Sequence, residues 1–321
     1  MYKYLFALLF CFTTLLTAAQ VDTLSKKDKA ALDSMIKNDE FLKMLNDNPK
    51  NSFELTMGIG NGSFSEHNLA ANATGVSNQV ILTPSIAFRT KVGFSISVTG
   101  FLTKDSSGGM ELYQTGISPA YDYLGEKVNA GISYTRFLCD VNKYNNKCLY
   151  QNDFYGYVRA AKGIIQPGIA LGYANGKFKE VNIVVFQPPI GPARLVKDST
   201  DNKASYFSVS ASAGHDFSFY DVFGKNDEFD FTPSVIVNAG SDKNTATHLN
   251  RAYDRIPALR KRKKVSDNNK MQLQSVGASF DFTYSIGKFF FQPNVYFDYY
   301  LPSTTTKRFS SIYSVVAGIS F

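Results

Sequence analysis

The residue pattern points to an all-β fold: a twelve-stranded antiparallel transmembrane β-barrel preceded by a short N-terminal helical segment. From Ser52 onward apolar residues recur with a period of two, in segments of ten residues or more. Strands of soluble sheets average about 5–6 residues, whereas a tilted strand that crosses a bilayer needs about 9–11. Twelve such segments can be counted, an even number, as closed antiparallel barrels require. The links between them generally alternate short and long with strand parity, with the links after the third and eleventh segments as short exceptions. This is the pattern of tight turns at one membrane face and longer loops at the other.

The N-terminal part reads differently. Residues 1–19 have the build of a secretory signal peptide: Lys3 as the charged n-region, an apolar stretch from Tyr4 to Leu16, and small residues Thr17-Ala18-Ala19 before Gln20. Residues 20–50 form a periplasmic helical segment, with Leu32, Met35, Ile36, Phe41, Leu42 and Leu45 in a loose helical period and Asn48-Pro49 as its stop. A docked tail is favoured for it over a plug. The barrel occupies 51–321.

The strand segments follow in order: 52–61, 78–89, 91–103, 110–123, 127–138, 150–160, 164–175, 204–219, 228–241, 271–286, 288–301 and 308–321. The clearest is 288–301, where Phe289, Phe291, Pro293, Val295, Phe297 and Tyr299 share one face and Gln292, Asn294, Tyr296 and Asp298 the other. Segment 228–241 repeats the alternation with Phe229, Phe231, Val235 and Val237 against Asp230, Thr232 and Asn238. Met271 and Leu273 fall out of phase with Val276 and Phe280, which predicts a bulge near Gln274. A weak repeat places Pro84, Pro167, Pro233 and Pro293 in the oily phase. Proline removes a ladder donor, so bulges or strand ends are expected there. Residues 176–203 read as an extended hairpin beyond the membrane.

Composition agrees. The chain has 34 Lys+Arg against 27 Asp+Glu, net +7, with 44% hydrophobic residues, 27 Phe, 19 Tyr and no Trp. The hydrophobic content excludes a disordered chain. After the signal peptide no run is long and apolar enough for a membrane helix. Cys139 and Cys148 flank a polar stretch, and in an oxidising compartment they are expected to form a disulfide.

The signal peptide, the alternating strands and the terminal Phe321 together resemble a Gram-negative outer-membrane β-barrel protein, and the Pro-containing strand motif is similar to small barrels of the Bacteroidetes type. The resemblance covers residues 52–321. It implies location in the outer membrane, contact with its lipid and lipopolysaccharide, and a C-terminal signal at Phe321 read by the barrel-assembly machinery. With no Trp, Phe and Tyr must supply the aromatic girdles.

Function is less legible. Inward positions are rich in Gly and Ser, among them Gly58, Gly116, Gly131, Ser208 and Ser279, so unfilled volume is expected inside. Inward charges are mostly acidic: Glu54, Asp122, Asp153, Asp216, Asp230, Asp281 and Asp298, with Arg159 as the exception. Asp122, Asp216, Asp230 and Asp281 are the candidate filter for cations; the competing view has such acids bonded to neighbouring strands. The outer loop 242–270 holds Arg251, Arg255, Arg260, Lys261, Arg262, Lys263 and Lys264. Its nine basic against three acidic residues leave +6 of the whole-chain +7. Contact with anionic lipopolysaccharide, a gate over the acidic lumen, and binding of a polyanion all fit this loop.

No catalytic residue, cofactor or metal site is expected. Only His67, His215 and His248 are present, and no HExxH or CxxC occurs. Nucleic acid is not an expected partner of a secreted chain. The leading expectation is a narrow channel for small polar or cationic solutes. A non-transporting surface-binding or structural envelope protein with a closed lumen is the alternative, and a lipid-modifying enzyme a weaker one.

Overall fold

The computed structural model describes residues 51–61, 80–104, 108–139, 149–186, 194–248, 267–302 and 308–321. The signal peptide, the 20–50 segment, Cys148 and the basic cluster 251–264 lie outside the described residues.

Thirteen strands are present: β1 (Ser52–Gly60), β2 (Ile81–Arg89), β3 (Phe94–Lys104), β4 (Met110–Leu124), β5 (Val128–Cys139), β6 (Asn152–Ala160), β7 (Gln166–Phe186), β8 (Arg194–Gly214), β9 (Phe217–Tyr220), β10 (Asp227–His248), β11 (Asp267–Ile286), β12 (Phe289–Tyr300) and β13 (Phe309–Ser320). Each pairs antiparallel with its neighbours, and β1 pairs with β13, so the sheet closes on itself. The four residues of β9 continue the line of β8 along β10, which makes the barrel one of twelve staves. Closure leaves no open edge, and every backbone donor can find a partner inside the sheet, the condition for spanning a hydrocarbon layer.

The outward face is apolar. Leu55, Met57 and Ile59 of β1, Ile86 and Phe88 of β2, and Ile96 and Val98 of β3 are exposed, and the series continues around the barrel. In water this would be an aggregating surface; in a bilayer it is the face that meets lipid. The girdle is made without Trp. Phe217, Phe231 and Phe282 stack in series across β9–β11, with ring centroids 6.1 Å and 4.7 Å apart.

The turns after β2, β4, β6, β9 and β11 share an end with Ser52 and Phe321, here termed the inner end. Gly93 makes the first of them possible. Its φ is +93°, a region that L side chains rarely adopt, and its carbonyl accepts the Asp122 N–H at 2.9 Å. At the outer end β7 and β8 run 21 residues each, an extended hairpin as expected for 176–203.

The bulge foreseen near Gln274 is present: Asn238 opposes Ser275 and Ala239 opposes Leu273, leaving Gln274 over. A second bulge leaves Tyr113 over between Leu112 and Gln114 and turns it inward. The prolines correct the expectation of bulges or strand ends. Pro167 does sit at a strand start. Pro84, Pro119, Pro233 and Pro293 instead stand mid-strand, and the register is unchanged on either side of them. Each interrupts the ladder toward one neighbour only. Thus Pro119 still pairs with Ile96 of β3, while the β4–β5 pairing skips from Ile117–Arg136 to Ala120–Ser133. The missing N–H costs one side of the ladder and leaves the other intact. Opposite Pro233, the same gap separates β8 from β9.

The barrel interior as candidate functional site

Alternation places one residue in two of every stave inside the barrel. The interior is filled unevenly. Across β8 and β10–β13 it is packed. Tyr296, Ile312 and Ile236 form a buried apolar cluster. Beside it Asn238 accepts a hydrogen bond from Ser210 Oγ at 2.7 Å and donates through Nδ2 to Ser275 Oγ at 3.1 Å and to the Tyr296 hydroxyl at 3.0 Å. Tyr296 in turn donates to Asp298 at 2.8 Å. The bulged Gln274 accepts the Tyr206 hydroxyl at 2.6 Å. This network rigidifies the wall, because each buried polar group in it has a partner.

The other sector holds space. A cavity of about 510 Å³ is walled by hydroxyls, including Thr56, Ser85, Ser97, Thr99, Ser118 and Thr135, and reaches the inner rim at Glu54, Arg89 and Ser320. Toward the outer end, the cluster of Ile81, Phe101, Tyr113 and Phe137 borders it. Ser85 and Thr99, and likewise Ser118 and Thr135, are hydrogen-bonded in pairs at 2.8 Å. Glu54 and Arg89 form an ion pair, Nε to Oε1 at 3.4 Å. Arg89 follows Ala87 in the inward phase, so strict alternation through the end of β2 would have found it.

The glycines thought to leave volume have a different use. A Cβ on Gly131 would meet the Tyr157 ring and the Asp122 carboxylate, one on Gly318 the Phe290 ring, and one on Gly116 the Phe137 ring. In all three cases the ring belongs to the residue directly opposite on the next strand. Inward glycine is thus a seat for a neighbour's aromatic side chain, which periodicity alone does not reveal.

Three of the four candidate filter acids come together. Asp216, in the link between β8 and β9, accepts the Thr232 hydroxyl at 2.8 Å and pairs with Arg159 at 2.8 Å. Thr232 faces Asp281 across the β10–β11 ladder. Asp230 lies two residues along the same face and accepts the Ser218 hydroxyl at 2.6 Å. Asp281 accepts the Ser279 hydroxyl at 2.7 Å. Arg159 also donates to Gln166 at 2.5 Å. Asp122 is apart, on β4, where the Tyr157 hydroxyl donates to it at 2.9 Å.

His215 serves the inner end of the wall. Its Nδ1 lies 3.1 Å from the Gly163 carbonyl oxygen, and its ring meets Phe217 edge-on at 4.4 Å. Among the described residues, no group of three or more His, Cys, Asp or Glu is placed to hold a metal ion. Cys139 ends β5 with its Sγ 3.0 Å from the Tyr113 carbonyl oxygen.

No family model matches the chain, and no curated protein matches it in sequence. Solved structures similar to it include the NanC porin, at 12% identity over 83% of this chain and 98% of that one, with a TM-score of 0.32. A bacterial polysaccharide outer membrane secretin matches at 9% identity over 85% and 98%, with a TM-score of 0.32. The CymD monoaromatic hydrocarbon channel matches at 10% over 89% and 91%, with a TM-score of 0.31. Likeness of this degree carries no inference about cargo, so function is read from the barrel's own interior.

Proposed function

We propose that this protein is an outer-membrane barrel acting as a narrow channel for small polar solutes, with a preference for cations. The observation that supports this best is the hydroxyl-walled cavity of about 510 Å³ inside a closed twelve-stave barrel. Serine and threonine hydroxyls can replace a solute's water without fixing one charge sign. Asp230 and Asp281, with Asp122 on the other wall, supply the negative potential, and Asp216 adds to it only in part because Arg159 offsets its charge. Lipopolysaccharide around the rim, the assembly machinery at Phe321 and a Cys139–Cys148 disulfide belong to the same reading, with the 251–264 basic cluster on the outer surface.

A closed, non-transporting barrel is the second reading. The packed sector favours it: Tyr296 is 0% exposed and Ile312 1%. Planar-bilayer recording of the mature chain separates the two. The channel reading expects small, cation-selective conductance steps, with the reversal potential moving toward zero when Asp216, Asp230 and Asp281 are changed to Asn. Absence of any conductance leaves the closed barrel, and unchanged selectivity in the Asn variants removes the filter.

A further inference from the structure

The outward face of β5, β6 and β7 carries a graded set of three rows that neither the channel nor its lumen requires. The register defines them. Ile132, Gly156 and Leu171 stand side by side in the first row; Tyr134, Phe154 and Tyr173 in the second; Arg136, Asn152 and Asn175 in the third, nearest the outer end. The first two rows line an apolar groove of about 560 Å³ whose floor is Gly156. Its aromatic wall is continuous, with Tyr134 and Phe154 4.7 Å apart at their ring centroids.

The third row is cationic. Arg136 Nη1 and the Tyr134 hydroxyl both donate to Asn152 Oδ1, at 2.7 Å and 2.9 Å, and Asn152 Nδ2 donates to Asn175 Oδ1 at 2.9 Å. Asn152 therefore holds the guanidinium without neutralising it. Lys177, the next outward residue of β7, lines a depression of about 610 Å³ together with Arg136, Asn152 and Asn175. Both cations are exposed, and neither takes part in the ion pairs formed among the described residues. An arginine and a lysine set above an apolar groove in a lipid-facing wall match an anionic headgroup above its acyl chain.

We propose that this wall is a binding site for one lipid A moiety of lipopolysaccharide, its phosphate on Arg136 and Lys177 and an acyl chain in the groove over Gly156. The proposal rests on the outer-membrane reading above, because only the outward-facing leaflet of that membrane would offer this lipid at the end away from Phe321. The groove is continuous with the apolar belt, and the charge of the polar row is opposite to that of the phosphate.

The test folds the mature barrel into phosphatidylcholine nanodiscs and titrates them with bisphosphorylated lipid A, the same lipid A dephosphorylated, or phosphatidylglycerol. Bound lipid is read by native mass spectrometry. The wild type should prefer bisphosphorylated lipid A to the dephosphorylated form by about tenfold, the loss expected when one charge-assisted contact is removed. Arg136→Gln combined with Lys177→Gln should abolish that preference. Gly156→Phe should weaken both forms of lipid A, since a Cβ at Gly156 meets nothing closer than 3.5 Å and a large side chain can fill the groove. Equal retention of phosphatidylglycerol, or variants that bind as the wild type does, would overturn the proposal. A heat-modifiable gel shift for every variant shows insertion independently. If the wild type fails to insert, the membrane reading itself is lost, a result distinct from an inserted barrel that ignores lipid A.

Discussion

Asp227 is 2% exposed, and its carboxylate accepts the backbone N–H groups of Val222 at 2.7 Å and of Phe223 and Gly224 at 2.9 Å, and the Tyr284 hydroxyl at 3.0 Å. It organises the β9–β10 turn at the inner rim, ahead of the lipid-facing residues that begin at Phe229. Desolvation by burial pushes its pKa up, but the donated hydrogen bonds outweigh it and hold the carboxyl below the ordinary 3.8. A folded-state pKa below the unfolded one contributes stability above about pH 4, lost as the pH falls through the folded value. The amide signals of Phe223 and Gly224 should therefore titrate with a midpoint below 3.8 in the folded barrel, and Asp227→Asn should remove that transition. A midpoint at or above the ordinary value would show that the turn does not favour the charged form. Neither this cap nor the glycine seats could be read in the sequence. Both depend on which residue faces which across a ladder, and alternation fixes a residue's face but not its partner.

At the scale of the strand, the proline seams have a measurable signature. Between Ile117–Arg136 and Ala120–Ser133 the β4–β5 ladder has no paired residues, and the Ser118–Thr135 hydroxyl bond of 2.8 Å spans the gap. The amide of Tyr134 faces β4 at the seam, whereas that of Thr135 faces β6, because Phe137 two residues on donates to the Gln151 carbonyl of that side. Tyr134 should therefore exchange faster with deuterium than Ile132, whose amide also faces β4, because a protected ladder donor opens only with the strand. Uniform exchange along β5 would mean that the seam is as tight as the rest. Most staves were legible: period two, strand length and link parity are local properties, and the Gln274 bulge announced itself as a break in phase. The split of β8 from β9 was not, because Pro233 acts on a neighbouring strand and leaves no mark in the segment it interrupts.

For the whole molecule, closure was foreseen but the uneven filling was not. Ile236 and Ile312 keep strict inward phase, yet they are apolar, and a reading that equates inward with polar passes over them. The layer of Phe101, Tyr113 and Phe137 beside the cavity gives this filling a functional test. Phe101 meets Phe137 edge-on at 6.0 Å and Tyr113 at 6.3 Å. Phe101→Ala should enlarge the cavity and raise single-channel conductance, with a stability cost on the order of 3 kcal/mol in a chemical unfolding curve. Conductance equal to the wild type would place the narrowest part of the path elsewhere.

The seam between β1 and β13 sets the order of events in folding. Phe53 and Phe321 exchange reciprocal backbone hydrogen bonds at 2.9 Å and 3.0 Å, and farther along Asn61 reaches Ser311, 250 positions away in sequence. Pairing over so long a separation is slow, since loop-closure entropy is met before any contact offsets it. Until the final stave arrives, the growing sheet has two unsatisfied borders, each able to recruit a foreign strand. A chain halted anywhere short of β13 is therefore not a smaller barrel but an adhesive ribbon, and the cell must shelter it until its last residues meet its first.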